Sequence, residues 1–171
     1  LNTFGKIKAP DHHLIVMGAA PSQNLVEISK PLGLGDRIHF MDPGTRKAPG
    51  IFRGLDATIF HLSNPGNIPF EDLFQALFQA MHVSCPVIGS KQPGLTDIIE
   101  HQKNGLLYEP QDHGQLSEML YKTLDNEPAL LEMTHGARQK AKKDHTVDAM
   151  GRDLIRIYRL HQVRLEKRMR P

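Results

Sequence analysis

Apolar residues in this chain come as short unbroken runs separated by longer stretches in which they recur every three or four positions. The runs read as strands buried on both faces, and the stretches as amphipathic helices. Strands are predicted at 12–18 (HHLIVMG), 37–41 (RIHFM), 56–62 (DATIFHL), 86–89 (PVIG) and 105–108 (GLLY). Helices are predicted at 22–32, 70–83 and 95–101, with a loop and a short helix across 44–54. Three more helices follow at 112–125, 127–143 and 147–168. The clearest stripe lies in 70–83, where Leu73, Ala76, Leu77, Ala80 and Met81 share a face. In 112–125 the inward positions are Leu116, Met119, Leu120 and Leu124. Apolar strands alternating with helices predict an α/β fold, a doubly wound parallel sheet of about five strands in a three-layer α/β/α arrangement. A ligand would bind at the C-terminal ends of the strands. The chain divides into a body over 1–145 and a basic C-terminal helix over 146–171.

Composition narrows the class. With 39% apolar and 23% charged residues, the 171-residue chain can bury a core and is not of the disordered type. No run approaches 18 apolar residues, so no membrane span is predicted. The first residues lack a signal-peptide pattern and read as the interior of a longer protein. One cysteine, Cys85, excludes an internal disulfide and suits a cytoplasmic setting. In a helix-to-strand turn, Cys85 reads as a small buried hydrophobe.

Charge is unevenly placed. Residues 138–171 hold 11 Lys and Arg against 4 Asp and Glu, while residues 1–137 hold 10 against 15. The basic end suits either a solvated helix packed on the body or peripheral contact with a membrane surface. A net charge of only +2, without interleaved aromatics, argues against nucleic acid. The ten His are scattered without metal-ligand spacing, so neither a metal nor another cofactor is expected. No Gly-x4-Gly-Lys loop is present, which argues against phosphoryl transfer.

Candidate chemistry concentrates in 71–90, EDLFQALFQAMHVSCPVIGS. Glu71 opens a helix, Gln79 follows eight residues later, and a turn at Ser84 and Cys85 leads into a strand. A helix N-terminus offers unpaired N–H groups and partial positive charge, which suit a phosphate. The simpler reading is that Glu71 and Asp72 only complement the helix dipole.

This stretch resembles the donor-sugar motif of retaining GT-B glycosyltransferases of family 4 (group 1), in which two Glu separated by seven residues precede Ala-Met-Ala and Pro-Val-Ile. Glu71 matches the first acid, Gln79 stands at the second, and Ala80-Met81 and Pro86-Val87-Ile88 fall at the family's spacing. The likeness extends from about residue 12 to 130. It takes in Leu14 to Gly18, Gly33 to Phe40, Leu55-Asp56-Ala57 with Ser63, Pro93-Gly94 with Asp97, and Asn104 to Leu107. The resemblance implies the nucleotide-sugar-binding, Rossmann-like half of a GT-B enzyme, with an NDP-sugar as substrate. Glu71 would contact the sugar and act in catalysis. The Leu73 and Phe74 amides would hold the β-phosphate, and Gln79 the ribose. Gly18, Ile38, His39, Met41 and Ser63 would line the rest of the donor site, with Ile38, His39 and Met41 beside the base. It further implies an acceptor-binding N-terminal domain, a first strand and phosphate-neutralising basic residues, all upstream of residue 1. Three positions depart from the family: Asp42 stands where a Gly usually follows the second strand, and the other two fall in the motif. Phe74 stands where a Gly is usual, and Gln79 replaces a carboxylate. Those departures motivate the alternative of a degenerate binding or assembly module.

Overall fold

The computed structural model describes residues 2–5, 12–17, 27, 29–41, 48–62, 70–125 and 127–169. Twelve strands and α-helices, and a 3-10 turn at Gly35–Arg37, are formed among them. In chain order they are α1 Asn2–Gly5, β1 Leu14–Met17, β2 Ile38–Met41, α2 Ala48–Phe52, β3 Thr58–Phe60 and α3 Phe70–His82. There follow β4 Val87–Ser90, α4 Leu95–Ile98, β5 Leu106–Tyr108, α5 His113–Asp125, α6 Glu127–Asp144 and α7 Val147–Met169. The helix expected over 22–32 falls partly outside the described residues; Glu27 and Ser29 within it are helical.

Every strand pairing is parallel. Leu14 lies opposite Ile38 in the β1–β2 pair, Thr58 opposite Val87, and Ile88 opposite Leu106. The strands form two sheets, β1-β2 and β3-β4-β5, rather than the one expected. Among the described residues the two sheets share no backbone hydrogen bonds.

Strand β4 is the centre of the domain and is buried along its whole length. Its side chains alternate between two cores, as a two-residue period requires. Val87 packs with Phe52, Phe60, Leu77, Met81, Leu107 and Ala137, which places α2, α3 and α6 on one face. Ile88 packs with Tyr108, Leu116 and Leu120, with Phe4 of α1 beside them, so α5 and α1 cover the other face. This is the α/β/α layering predicted from continuous apolar strands. The predicted stripe of α3 all joins the first core. Leu116, Met119 and Leu120 join the second.

Local chemistry sets the element ends. Helix α3 stops because Ser84 takes a left-handed conformation, φ 63°. The Cys85 N–H then donates to Ala80 C=O at 2.9 Å and the Ser84 N–H to Met81 C=O at 3.2 Å, a Schellman closure. Helix α4 is shorter than the predicted 95–101. The Asn104 side chain accepts from the Glu100 N–H at 2.7 Å and donates to Ile98 C=O at 3.0 Å. It thereby takes backbone groups that a continuing helix would use. Asp112 Oδ1 accepts from the Gln115 N–H at 2.8 Å and caps α5.

Candidate functional site at the start of helix α3

Because β3, α3 and β4 form a parallel crossover, the N-terminus of α3 opens at the C-terminal edge of the sheet. Glu71 and Asp72 occupy its first turn. In a helix beginning at Phe70, the N–H groups of Phe70, Glu71 and Asp72 lack an intrahelical acceptor, whereas that of Phe74 falls opposite Phe70 C=O.

Glu71 and Gln79 line one open groove of about 570 Å³ along α3, together with Phe74, Gln75, Phe78, His82 and Val83. Glu71 is exposed and Gln79 half-buried. The groove ends where the Phe78 ring stacks on His145, centroids 4.1 Å apart. The His82 Nδ1–H donates to Phe78 C=O at 2.9 Å. Burial, with Lys140 and His82 nearby, holds the His145 imidazole below its ordinary value despite the neighbouring Asp144. Leu73 and Phe74 are both half-buried against the first core.

The Phe74 ring turns toward the loop before α4. Gly94 there has φ 88°, and a Cβ on it would stand 2.7 Å from Phe74 Cζ. Only glycine fits, on grounds of both conformation and space. The Gly94 N–H donates to Asp97 Oδ2 at 3.3 Å.

A polar layer lies beneath this edge, unremarked in the sequence. His61, just past β3, hydrogen-bonds through Nδ1 to the Tyr108 hydroxyl at 2.7 Å. Burial and then His113 hold the His61 imidazole below its ordinary value, and burial pushes the Tyr108 hydroxyl up to about 12. At neutral pH both are uncharged, so tyrosine donates and imidazole accepts. The Ser90 hydroxyl donates to Gln92 Oε1 at 2.7 Å and accepts from the Leu62 N–H at 3.4 Å. Lys91 pairs with Glu109 at 2.7 Å. The signal that could have found these residues is position: each ends or follows a strand, where doubly wound sheets bind ligands.

The other predicted site residues are distributed less tightly. Ile38, His39 and Met41 are on β2, with Ile38 buried. His39 is exposed, and its Nε2 lies 3.0 Å from Nδ1 of His13. It stands opposite Ile15, in the N-terminal half of the strand pair. Gly18 and Ser63 lie outside the described residues. Cys85 is buried, with Thr58 Oγ1 2.9 Å from its Sγ. Burial raises the thiol pKa, as suits a packing residue rather than a nucleophile. Among the described residues no group of three or more His, Cys, Asp or Glu could hold a metal ion, and no helix is long and apolar enough to cross a membrane.

Comparison with known proteins places this arrangement. In a search of curated proteins, the chain is 26% identical over 136 residues to the D-inositol 3-phosphate glycosyltransferase of Mycolicibacterium smegmatis. That match covers 78% of this chain and 30% of the relative. Among solved structures, Anabaena HepE in complex with UDP-glucose superposes with a TM-score of 0.76 at 18% identity, covering 92% of this chain and 43% of that one. The C-terminal domain of LpcC, a group 1 glycosyl transferase family protein from Francisella tularensis, gives 0.66 at 21% identity, covering 85% and 75%. The chain thus spans less than half the length of HepE and under a third of the curated relative. The family profile described as glycosyl transferases group 1 matches residues 1–144, most of the sequence. The chain belongs to the group 1 glycosyl transferases.

Proposed function

We propose that this chain is the nucleotide-sugar-binding half of a retaining GT-B glycosyltransferase that moves a sugar from a nucleoside diphosphate to an acceptor hydroxyl. The observation that carries the reading is Glu71 and Gln79 lining one groove on a helix whose N-terminus opens at the sheet's C-terminal edge. Eight residues along a helix span about 12 Å, the reach from a hexose across a diphosphate to a ribose. Glu71 meets the sugar hydroxyls. The open N–H groups of the first turn of α3 and the helix dipole stabilise the departing diphosphate. Gln79 accepts from a ribose hydroxyl. No metal or cofactor is assigned.

In this reading β1 to β5 are the second to sixth strands of a doubly wound sheet of order 3-2-1-4-5-6. On that order the first strand belongs between β1 and β3 and would join the two sheets.

The test is thermal stabilisation of the full-length protein by UDP-, GDP- and ADP-sugars. Turnover of the preferred donor follows, with NMR assignment of the product's anomeric configuration. Glu71→Ala should lower kcat at least 100-fold. Full activity in that variant, or an inverted product, would sink the assignment.

A second reading is favoured by one contact. Where the family usually has a small residue, the Phe74 ring sits against Gly94 and lines the groove with Glu71. On this reading the domain serves binding or assembly without turnover, and the same screen would find no stabilising sugar nucleotide.

A further inference from the structure

We propose that His61 is a positioning residue of the sugar-nucleotide site. With Tyr108 and Ser90 it clamps the start of the loop from β3 to α3, and so fixes where the first turn of α3 holds Glu71. The role rests on the function proposed above.

The clamp follows from the register of the sheet. Phe60 lies opposite Gly89 and Ser90 opposite Tyr108, so His61 stands level with both at the C-terminal edge. Two residues earlier on the same strands are Ile59, Ile88 and Leu106, which all face the second core. The two-residue period puts His61, Ser90 and Tyr108 over that face. An apolar layer would close the core here, yet the layer is polar. Tyr108 is 1% exposed and Ser90 0%. The Tyr108 hydroxyl donates to His61 Nδ1 at 2.7 Å, reaching across β4 between them. Because Nδ1 accepts, the ring proton sits on Nε2. Such a bond adds little net stability over apolar packing. What it adds is a fixed distance and direction for the His61 ring.

The next residue is held as well. The Leu62 N–H donates to Ser90 Oγ at 3.4 Å, and the Ser90 hydroxyl donates to Gln92 Oε1 at 2.7 Å. Gln92 C=O accepts from the Thr96 N–H at 3.1 Å in the turn that opens α4. Gly94 of that turn lies against the Phe74 ring of α3. One short segment, 90–96, thus grips the chain at His61 and Leu62 and again on α3. Between these grips run residues 63–69 and then Glu71, with Ser63, a predicted donor-site residue, first among them. Every contact in the clamp is internal to the domain. In the strand order proposed above, β3 borders the point where the order reverses, which is where such sheets bind their ligand. A reacting group displaced there by about 1 Å loses on the order of 100-fold in rate.

The experiment is steady-state kinetics of the full-length protein with its preferred sugar nucleotide, with urea midpoints giving the folded fraction. Tyr108→Phe removes only the hydroxyl and keeps the ring in the second core. His61→Leu removes the acceptor, and His61→Asn returns an amide oxygen near the place of Nδ1. In Tyr108→Phe and His61→Leu, kcat per folded molecule should fall at least about tenfold. KM should stay within about threefold, because Gln79 lies two turns beyond the displaced end of α3. His61→Asn should restore kcat to within about threefold of the original protein. Side-chain 15N spectra of His61 should show the proton on Nε2. Loss confined to the urea midpoint, with kcat unchanged in Tyr108→Phe and His61→Leu, overturns the role, because the layer then only closes the core. His61→Asn as slow as His61→Leu overturns it too, and a proton on Nδ1 overturns the clamp itself. A full-length protein that turns over no sugar nucleotide sinks the proposed function and this role together, whereas turnover that the variants leave untouched sinks the role alone.

Discussion

Phe74→Ala is the most informative single change. The ring is half-buried against the first core and lies over Gly94, whose missing Cβ leaves the room it fills. Full burial of a Phe side chain contributes about 1.5–3 kcal/mol, so a half-buried ring contributes about 1–1.5 kcal/mol. Alanine adds no helix-propensity cost. The expected loss of stability is therefore about 1–1.5 kcal/mol, read from the urea midpoint at constant slope. Binding should move the other way. Removing the ring enlarges the groove that Phe74 lines with Glu71 of the first turn of α3. One additional hydrogen bond to a charged phosphate is worth about 1.5–3 kcal/mol, or roughly 10- to 150-fold in Kd. We predict that titration calorimetry of UDP into the full-length protein gives at least about tenfold tighter binding for Phe74→Ala. The reasoning fails if the variant shows the expected stability loss but UDP affinity is unchanged or weaker. Phe74 would then be a wall of the site rather than an obstruction.

Other expectations follow from neighbouring contacts. Gln79→Glu should tighten UDP binding by up to about 1–2 kcal/mol, because a charged acceptor bonds ribose more strongly than an amide; unchanged affinity in calorimetry removes Gln79 from the ribose role. Gly94→Ala should destabilise by about 1–3 kcal/mol in urea, through positive φ and collision with Phe74. Part of that loss should be recovered in the double variant with Phe74→Ala. His145 carries a pH dependence. Its imidazole is held below the ordinary 6.5, so the unfolded chain takes up the proton first. Its contribution is fully present above about pH 6.5 and is lost as pH falls through the lower folded value. His145→Phe should keep the stacking with Phe78 and flatten the urea midpoint between pH 7.5 and 5.5. An equally steep acid loss in that variant would assign the effect to another group, His61 first.

Much of the fold was legible because it rests on local patterns. The apolar spacing of 73, 76, 77, 80 and 81 fixes which side of α3 meets the sheet, whatever surrounds it. Unbroken apolar runs required cover on both faces, and β4 has it. Glu71 and Gln79 stand eight residues apart on α3, as the sequence has them, and line one groove. What the sequence left open depends on groups far apart in the chain. The division into two sheets is a matter of which strand edges exchange hydrogen bonds, and side-chain pattern does not encode that. His61 meets Tyr108 across 47 residues, and Phe74 meets Gly94 across a strand and a loop. Each contact exists because parallel crossovers return the chain to the same sheet edge. The apolar positions of α7 are written in the sequence, yet their direction is not. An amphipathic helix normally turns its apolar side toward its own core, and only the tertiary structure puts Ala149, rather than Leu154 and Ile157, against the body of this chain.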